Sequence, residues 1–307
     1  MDGLILINKT SELTSHDVVQ RIRKIIKFKK VGHFGILDPL STGLLIIGVG
    51  KATRLFPFYS KMDKTYEGEI TLGFATNTYD SSGTPTSAAQ KNFPQESILL
   101  KEMKKFEGEI IQIPPPFSAK KYKGKPLYAL ARKKKKFELR PTKVFVHSFE
   151  LLDFKLPYLF FRIRCSSGTY IRSIAHSLGE NLGCGAHLSS LTRTEIGEFK
   201  LQDAFKLDEI SRIAAEGRLK ECLFPLESIL PQFPKIILLK KGEELVKNGQ
   251  MITQQHILRI MEGSRQNSSE EFLSEYEIFR LFNPEGKIIA LGRRLPGKRV
   301  LHPFLVF

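Results

Sequence analysis

The spacing of apolar residues changes several times along the chain, and each change predicts an element. The run "LILIN", Leu4 to Asn8, reads as a short strand. Thr14 and Asp17 then stand at capping-box spacing ahead of Val18, Val19, Ile22, Ile25 and Ile26, which recur at helical spacing. An amphipathic helix is expected there, with Arg21, Arg23, Lys24 and Lys27 mostly on its other faces. The stretches "YEGEITLGF" (Tyr66 to Phe74) and "YLFFRIRC" (Tyr158 to Cys165) are strand-like, the second rich in aromatic and β-branched residues. After a turn at Ser167-Gly168, residues Ile171, Ile174, Ala175, Leu178 and Leu182 make the apolar face of a second helix. From about Pro231 the segments shorten, and "EIFRLFNPEGKIIALG" reads as a hairpin turning at Asn283-Pro284-Glu285-Gly286. "EGSRQNSSEEFLSE", from Glu262, reads as a polar loop inside this β-rich tail. Strands alternating with helices leave the class as α/β or α+β.

Charge narrows the partner. The 307 residues carry 48 Lys and Arg against 32 Asp and Glu, a formal charge of +16, which favours a polyanion, nucleic acid before anionic membrane. The longest apolar run, Leu44 to Val49, is too short to cross a bilayer, and the first residues lack the charged and hydrophobic regions of an export signal. A cytoplasmic protein is expected, with no membrane partner. Cys165, Cys184 and Cys222 lie far apart without CxxC spacing, so reduced thiols are expected, neither a disulfide framework nor a metal site. "GVGKAT", Gly48 to Thr53, fails as a phosphate loop because Leu45 stands where glycine is required and Ala52 replaces the Ser or Thr.

The charge concentrates in "PPPFSAKKYKGKPLYALARKKKKFELRPTK", from Pro114, a basic insertion over about residues 114–143. Between Lys120 and Lys143 it holds eleven Lys and Arg and one acid, Glu138. Tyr122, Tyr128 and Phe137 interleave with the cations, setting stacking faces beside phosphate-neutralising groups. A solvated loop would explain the charge but not the aromatic spacing. The stretch "GHFGILDPLSTG", Gly32 to Gly43, places one carboxylate, Asp38, before a proline in a glycine-rich loop. Read alone, Asp38 serves equally well as the cap of a helix starting near Leu40. Arg172 enters the first turn of the second helix, where the helix dipole disfavours a cation, so an anion is expected beside it.

The blocks "GHFGILDPLSTGLL", "KTYEGEITLG", "IPPPFSAKKYKGKPLYALAR" and "SSGTYIRSIAHSLGENLGCGAHLSSLTR" together resemble the TruB family of tRNA pseudouridine synthases, in that family's order, across most of residues 1 to about 230. The resemblance implies an α+β pseudouridine synthase fold, with a mixed, largely antiparallel sheet flanked by helices over 1–230 and a small β-rich PUA-like RNA-binding domain over 231–307. It implies an isomerase that converts uridine 55 in the T-loop of tRNA to pseudouridine, without metal or cofactor, as a monomer with no obligatory protein partner. Asp38 matches the family's essential aspartate, taken as a nucleophile, which must be ionised to attack. Arg172 matches the arginine paired with it. Tyr66 matches the tyrosine that stacks on the flipped-out base and helps with the proton on carbon 5. Tyr170 and Leu191 match pocket-lining residues, His33 a histidine that meets the T-loop, and Lys9 a residue of the first motif. The basic insertion matches the loop that closes on RNA, so Lys120, Lys121, Lys123, Lys125, Arg132, Lys133, Lys134, Lys135 and Lys136 become candidate RNA contacts.

The first motif departs from the family pattern, with Thr10 and Glu12 where proline and glycine are usual, and Asn77 stands where an aspartate is common. Two other readings fit the same residues: a guide-RNA-dependent relative working in a ribonucleoprotein, and a non-catalytic RNA-binding or chaperone protein on the same fold.

Overall fold

The computed structural model describes residues 1–118, 139–261 and 276–307 with their side chains, and only the backbone at 121–122, 125–126, 262 and 265–267. Eleven strands come first: β1 (Gly3–Lys9), β2 (Val31–His33), β3 (Thr42–Val49), β4 (Lys64–Leu72), β5 (Gly108–Gln112), β6 (Lys121–Tyr122), β7 (Lys125–Pro126), β8 (Thr142–Lys155), β9 (Tyr158–Cys165), β10 (Ala186–Ile196) and β11 (Phe199–Lys200). Nine of them form one sheet in the order β1-β3-β10-β4-β9-β8-β5, with β2 beside β3 and β11 beside β10; β6 and β7 pair only with each other. Every pairing in the large sheet is antiparallel except β3 with β10. It is the mixed, largely antiparallel sheet the sequence led us to expect.

Helices flank it: α1 (Ser15–Ile26), α2 (Phe56–Tyr59), α3 (Glu96–Lys104), α4 (Ile171–Asn181) and α5 (Leu207–Ala215). The Thr14 side chain accepts from the Asp17 amide while Asp17 accepts from the Thr14 amide, so α1 begins on the expected capping box. Val18, Val19, Ile22 and Ile26 of α1 are buried, while Ile25 is half-buried. No helix starts near Leu40. The chain turns there and enters β3, because Thr42 to Val49 is a run of apolar and β-branched residues that pairs with β1 on one side and β10 on the other.

That pairing explains why "LILI" and "LLII" are unbroken rather than alternating. Ile5, Ile7, Leu45 and Ile47 point into one core with α1, α4 and α5. Leu4, Leu6, Leu44 and Ile46 point into a second core on the opposite face. A strand covered on both faces has no polar side to show. What covers the second face includes the tail: β12 (Lys235–Leu238), helix α6 (Lys240–Lys247), and β13 (Ile257–Glu262), β14 (Arg265–Asn267), β15 (Ile278–Phe282), β16 (Ile288–Arg294) and β17 (Leu301–Val306). These strands make a separate six-stranded sheet, β14-β13-β12-β15-β16-β17, and Phe282, Leu291 and Leu305 reach from it into the core shared with β1 and β3. Each such side chain contributes roughly 1.5–3 kcal/mol when fully buried. The hairpin β15–β16 turns where expected, with the Lys287 amide on the Asn283 side chain and Gly286 at φ +82°. Strand β14 falls inside the stretch that the sequence marked as a polar loop. Of the basic insertion, Lys121 and Lys125 are described as backbone only, and Lys120, Lys123 and Arg132 to Lys136 lie outside the described residues.

Candidate active site

The site forms where the loop between β2 and β3 meets the start of α4. Three bonds fix that loop. Ser15, the first residue of α1, accepts from the Leu37 amide at 2.9 Å, the Glu12 amide donates to the Pro39 carbonyl at 2.8 Å, and the Ser41 amide closes onto the Asp38 carbonyl at 3.0 Å. Asp38 is thereby held with its carboxylate over the end of α4.

Arg172, in the first turn of α4, is almost wholly buried and meets two carboxylates. Its Nη2 lies 2.8 Å from Asp38 Oδ2 and its Nη1 3.3 Å from Asp80 Oδ2. Nη1 also donates to the Thr78 carbonyl and Nη2 to the Phe117 carbonyl, both at 3.2 Å. These anions and carbonyls answer the unfavourable position of a cation at a helix start. Exposure separates the two acids: the Asp38 side chain is 37% exposed, that of Asp80 only 7%. Asp80 is held from its other oxygen by Thr78 Oγ1 at 2.7 Å and by the Ser82 amide and hydroxyl. The arginine is thus anchored from behind by a fixed, buried acid and presents its front to Asp38. Asp38 alone of the pair can meet a ligand.

A cleft of about 340 Å³ opens in front of it, lined among others by His33, Asp38, Tyr66, Tyr170, Arg172 and Leu191. This is within the usual range for a small-molecule or nucleoside pocket. The sequence candidates converge there from separate elements. Tyr66 on β4 stands opposite Arg193 on β10, and Leu191 opposite Gly68, so phenol and leucine are neighbours across one ladder. A side chain at Gly68 would collide with the Ser190 carbonyl and reach Leu191, so glycine keeps this wall close. Tyr170 immediately precedes α4, and Gln112 fixes it by accepting from the Tyr170 amide and donating to the Gly168 carbonyl. Burial pushes the Tyr66 phenol above its ordinary pKa, and the charge of Arg193 opposes that rise. Burial also lowers the His33 imidazole, favouring its neutral form, and its Nδ1 has no hydrogen-bond partner.

Lys9 sits differently. It does not line the cleft, it is fully buried, and its ammonium donates to the carbonyls of Thr10, Leu13 and Pro39. Its position makes it a brace that ties the opening turn to the Asp38 loop. In that turn Glu12 adopts φ +71°, a left-handed conformation suited to glycine. Here the departure from the family pattern acquires a physical cost.

Sequence reasoning passed over three residues. Asp80 carried a signal, since Asp followed by Ser-Ser-Gly is a common side-chain-capped turn. Arg193 and Lys64 carried only their place at the ends of two family blocks; local spacing gave nothing, yet Arg193 is 1% and Lys64 6% exposed, and both line the cleft. Among the described residues no cluster of His, Cys, Asp or Glu is arranged to hold a metal ion, and no helix is long and apolar enough to cross a membrane.

The fold matches solved structures over nearly its whole length. An H/ACA RNP bound to a substrate RNA containing 2'-deoxyuridine and a Cbf5-Nop10-Gar1 complex each superpose with a TM-score of 0.73 at 24% identity, covering 99% of this chain and 84% of theirs. At that identity the likeness is one of fold. The class, a pseudouridine synthase and hence an isomerase, is shown by sequence. The sequence profile of the TruB family pseudouridylate synthase N-terminal domain matches residues 23–171, and that of the tRNA pseudouridylate synthase B C-terminal domain residues 172–231. Proteins called tRNA pseudouridine synthase B are similar throughout: that of Solibacter usitatus is 45% identical over 81% of this chain and 85% of its own, and that of Geobacillus thermodenitrificans 37% identical over 100% of both. The chain belongs to the TruB family.

Proposed function

We propose that the protein isomerises uridine to pseudouridine in tRNA, at position 55 of the T-loop, with Asp38 as nucleophile and the target base flipped out into the cleft. The observation that carries this reading is the Asp38–Arg172 pair at 2.8 Å at the mouth of a cleft walled by Tyr66, Tyr170 and Leu191. The reaction rearranges one nucleoside: the bond from ribose carbon 1' to N1 breaks and a bond from the same carbon to carbon 5 forms. One carboxylate suffices, because a covalent intermediate divides the exchange into two steps and no second substrate enters. Arg172 holds that carboxylate in position through the ion pair at 2.8 Å. Tyr66 stacks on the extruded base, offsetting the few kcal/mol that unstacking costs, and takes up the proton leaving carbon 5. Leu191 and Tyr170 exclude water that would hydrolyse the intermediate.

RNA is held more widely. The basic insertion, with Lys120, Lys121, Lys123, Lys125, Arg132 and Lys133 to Lys136, neutralises phosphates of the T-arm, and residues 231–307 act as a PUA-like RNA-binding domain beside the catalytic domain of 1–230. The protein works as a cytoplasmic monomer without an obligatory partner. Release of tritium from carbon 5 of labelled uridine in a T-arm transcript, by purified wild type and Asp38→Ala, tests the reading. Release by wild type alone is expected. No release by either, with RNA binding intact, would transfer the protein to a guide-dependent or non-catalytic role.

A further inference from the structure

Among the described residues Arg193 is the largest fully buried side chain. Two bonds lock its plane: Nε donates to the Leu44 carbonyl at 2.8 Å and Nη1 to the Ile36 carbonyl at 3.2 Å. Its Nη2 has no hydrogen-bond partner, although the residue lines the cleft. Among the described residues no carboxylate forms an ion pair with it, nor with Lys64, the other buried cation in the same wall, whose ammonium donates to the Ser60 and Met62 carbonyls. A buried cation without an anion is costly, and a buried guanidinium nitrogen without an acceptor favours a negative oxygen beside it. The nearest candidate on the backbone register is Tyr66, directly opposite Arg193 on the antiparallel pair of β4 and β10, where facing side chains are in contact range. Asp38, the other acid of the cleft, is already held by Arg172.

We propose that Arg193 is a positioning residue that stabilises the phenolate of Tyr66, so that this oxygen can remove the proton from carbon 5 of the rearranged base. The proposal rests on the assignment of Tyr66 given above. In the step, the carbon 5–hydrogen bond breaks, the proton passes to the phenolate, the electron pair forms the carbon 5–carbon 6 double bond, the carbon 6–N1 double bond opens onto N1, and N1 takes a proton from a water that the Tyr66 phenol reprotonates. Besides Arg193, the titratable groups acting on the phenol are Cys165, an uncharged thiol that burial pushes up to about 12, and Asp38, whose negative charge opposes phenolate formation. Arg193 supplies the fixed positive charge that opposes Asp38 and, in part, the larger effect of burial.

The test varies charge at position 193 and acidity at position 66, reading single-turnover tritium release from carbon 5 in a T-arm hairpin. Arg193→Gln keeps a donor for the backbone carbonyls without the charge, whereas Arg193→Lys keeps the charge with different geometry. Arg193→Gln should slow release by about a hundredfold, the scale of a proton-transfer contribution, and Arg193→Lys by less than about tenfold. Replacing Tyr66 by the more acidic 3,5-difluorotyrosine should recover at least about tenfold in Arg193→Gln and change wild type little. A merely structural arginine would give equal losses in Gln and Lys and no recovery from fluorination, which overturns the proposal. So would a loss confined to RNA affinity, which identifies Nη2 as a phosphate anchor. If Arg193→Gln does not fold, the wild-type chain with difluorotyrosine decides: the alkaline rise of its release rate must move to lower pH, and an unmoved profile overturns the proposal. Tyr66→Phe separates the two assignments, since release surviving in that variant removes Tyr66 itself, whereas release lost there with Arg193→Gln unimpaired removes only Arg193.

Discussion

Removing Arg172 should destabilise the fold through Asp80 rather than Asp38. In Arg172→Met the Asp38 carboxylate, 37% exposed, can turn to water, whereas Asp80, 7% exposed, is left as a charge in the interior. The Thr78 and Phe117 carbonyls also lose their donors. Breaking a buried pair from one side costs about 3–5 kcal/mol, and the donors that Asp80 retains from Thr78 and Ser82 place this case near 3 kcal/mol. For a chain of this size that corresponds to a melting temperature lower by about 6 °C, at some 2 °C per kcal/mol. The assay is a pair of urea and thermal melts at neutral pH on wild type, Arg172→Met and the double variant Arg172→Met/Asp80→Asn. The double variant should melt above the single one, because it removes the orphaned charge while keeping a side chain that can accept from Thr78 and Ser82. A single variant that melts with wild type, or a double variant no more stable than the single, would refute the reasoning.

Other perturbations follow from the same geometry. Glu12→Gly should raise stability by about 1 kcal/mol, because a left-handed φ costs a side-chain-bearing residue about that much; a melt unchanged or lowered would show that the Glu12 side chain earns its place elsewhere. Burial lowers Lys9 and Lys64 to about 8, below their unfolded value of 10.5, so the unfolded chain binds more protons above pH 8 and stability should rise from pH 8 to 9. Cys165, held up to about 12 against 9.0 unfolded, works the other way only above pH 9, and Lys9→Met should flatten the rise in urea midpoints measured across that unit. Affinity for a T-arm hairpin should fall steeply with salt, and replacing Lys133 to Lys136 with Ala should reduce the slope in a binding titration; an unchanged slope would detach these residues from the RNA.

How much of this was legible beforehand depended on the range of the interaction. The capping box at Thr14 and Asp17, the strand at Tyr158 to Cys165, and the turn at Asn283 to Gly286 are local, and their residue types state them. Asp38, Tyr66 and Arg172 were visible as members of familiar blocks, and the anion demanded by a cation at a helix start was a local inference. A helix or a strand after Leu40 fits the local residues equally well, because a strand between two others and a capped helix can begin with the same few residues; pairing with β1 and β10 decides for the strand.

Sequence by itself therefore determined most of the local elements, the basic charge and the family to which the chain belongs, and it singled out Asp38 as the candidate acid. Tertiary structure alone decided which carboxylate is accessible and which is buried, because Asp80 lies 42 positions from Asp38 in the numbering and only Arg172 joins them. It alone turned Lys9 into a brace and set Arg193, without an acidic partner among the described residues, opposite Tyr66. A side chain's burial and the charges around it are set by segments distant along the chain, and no local spacing carries that information.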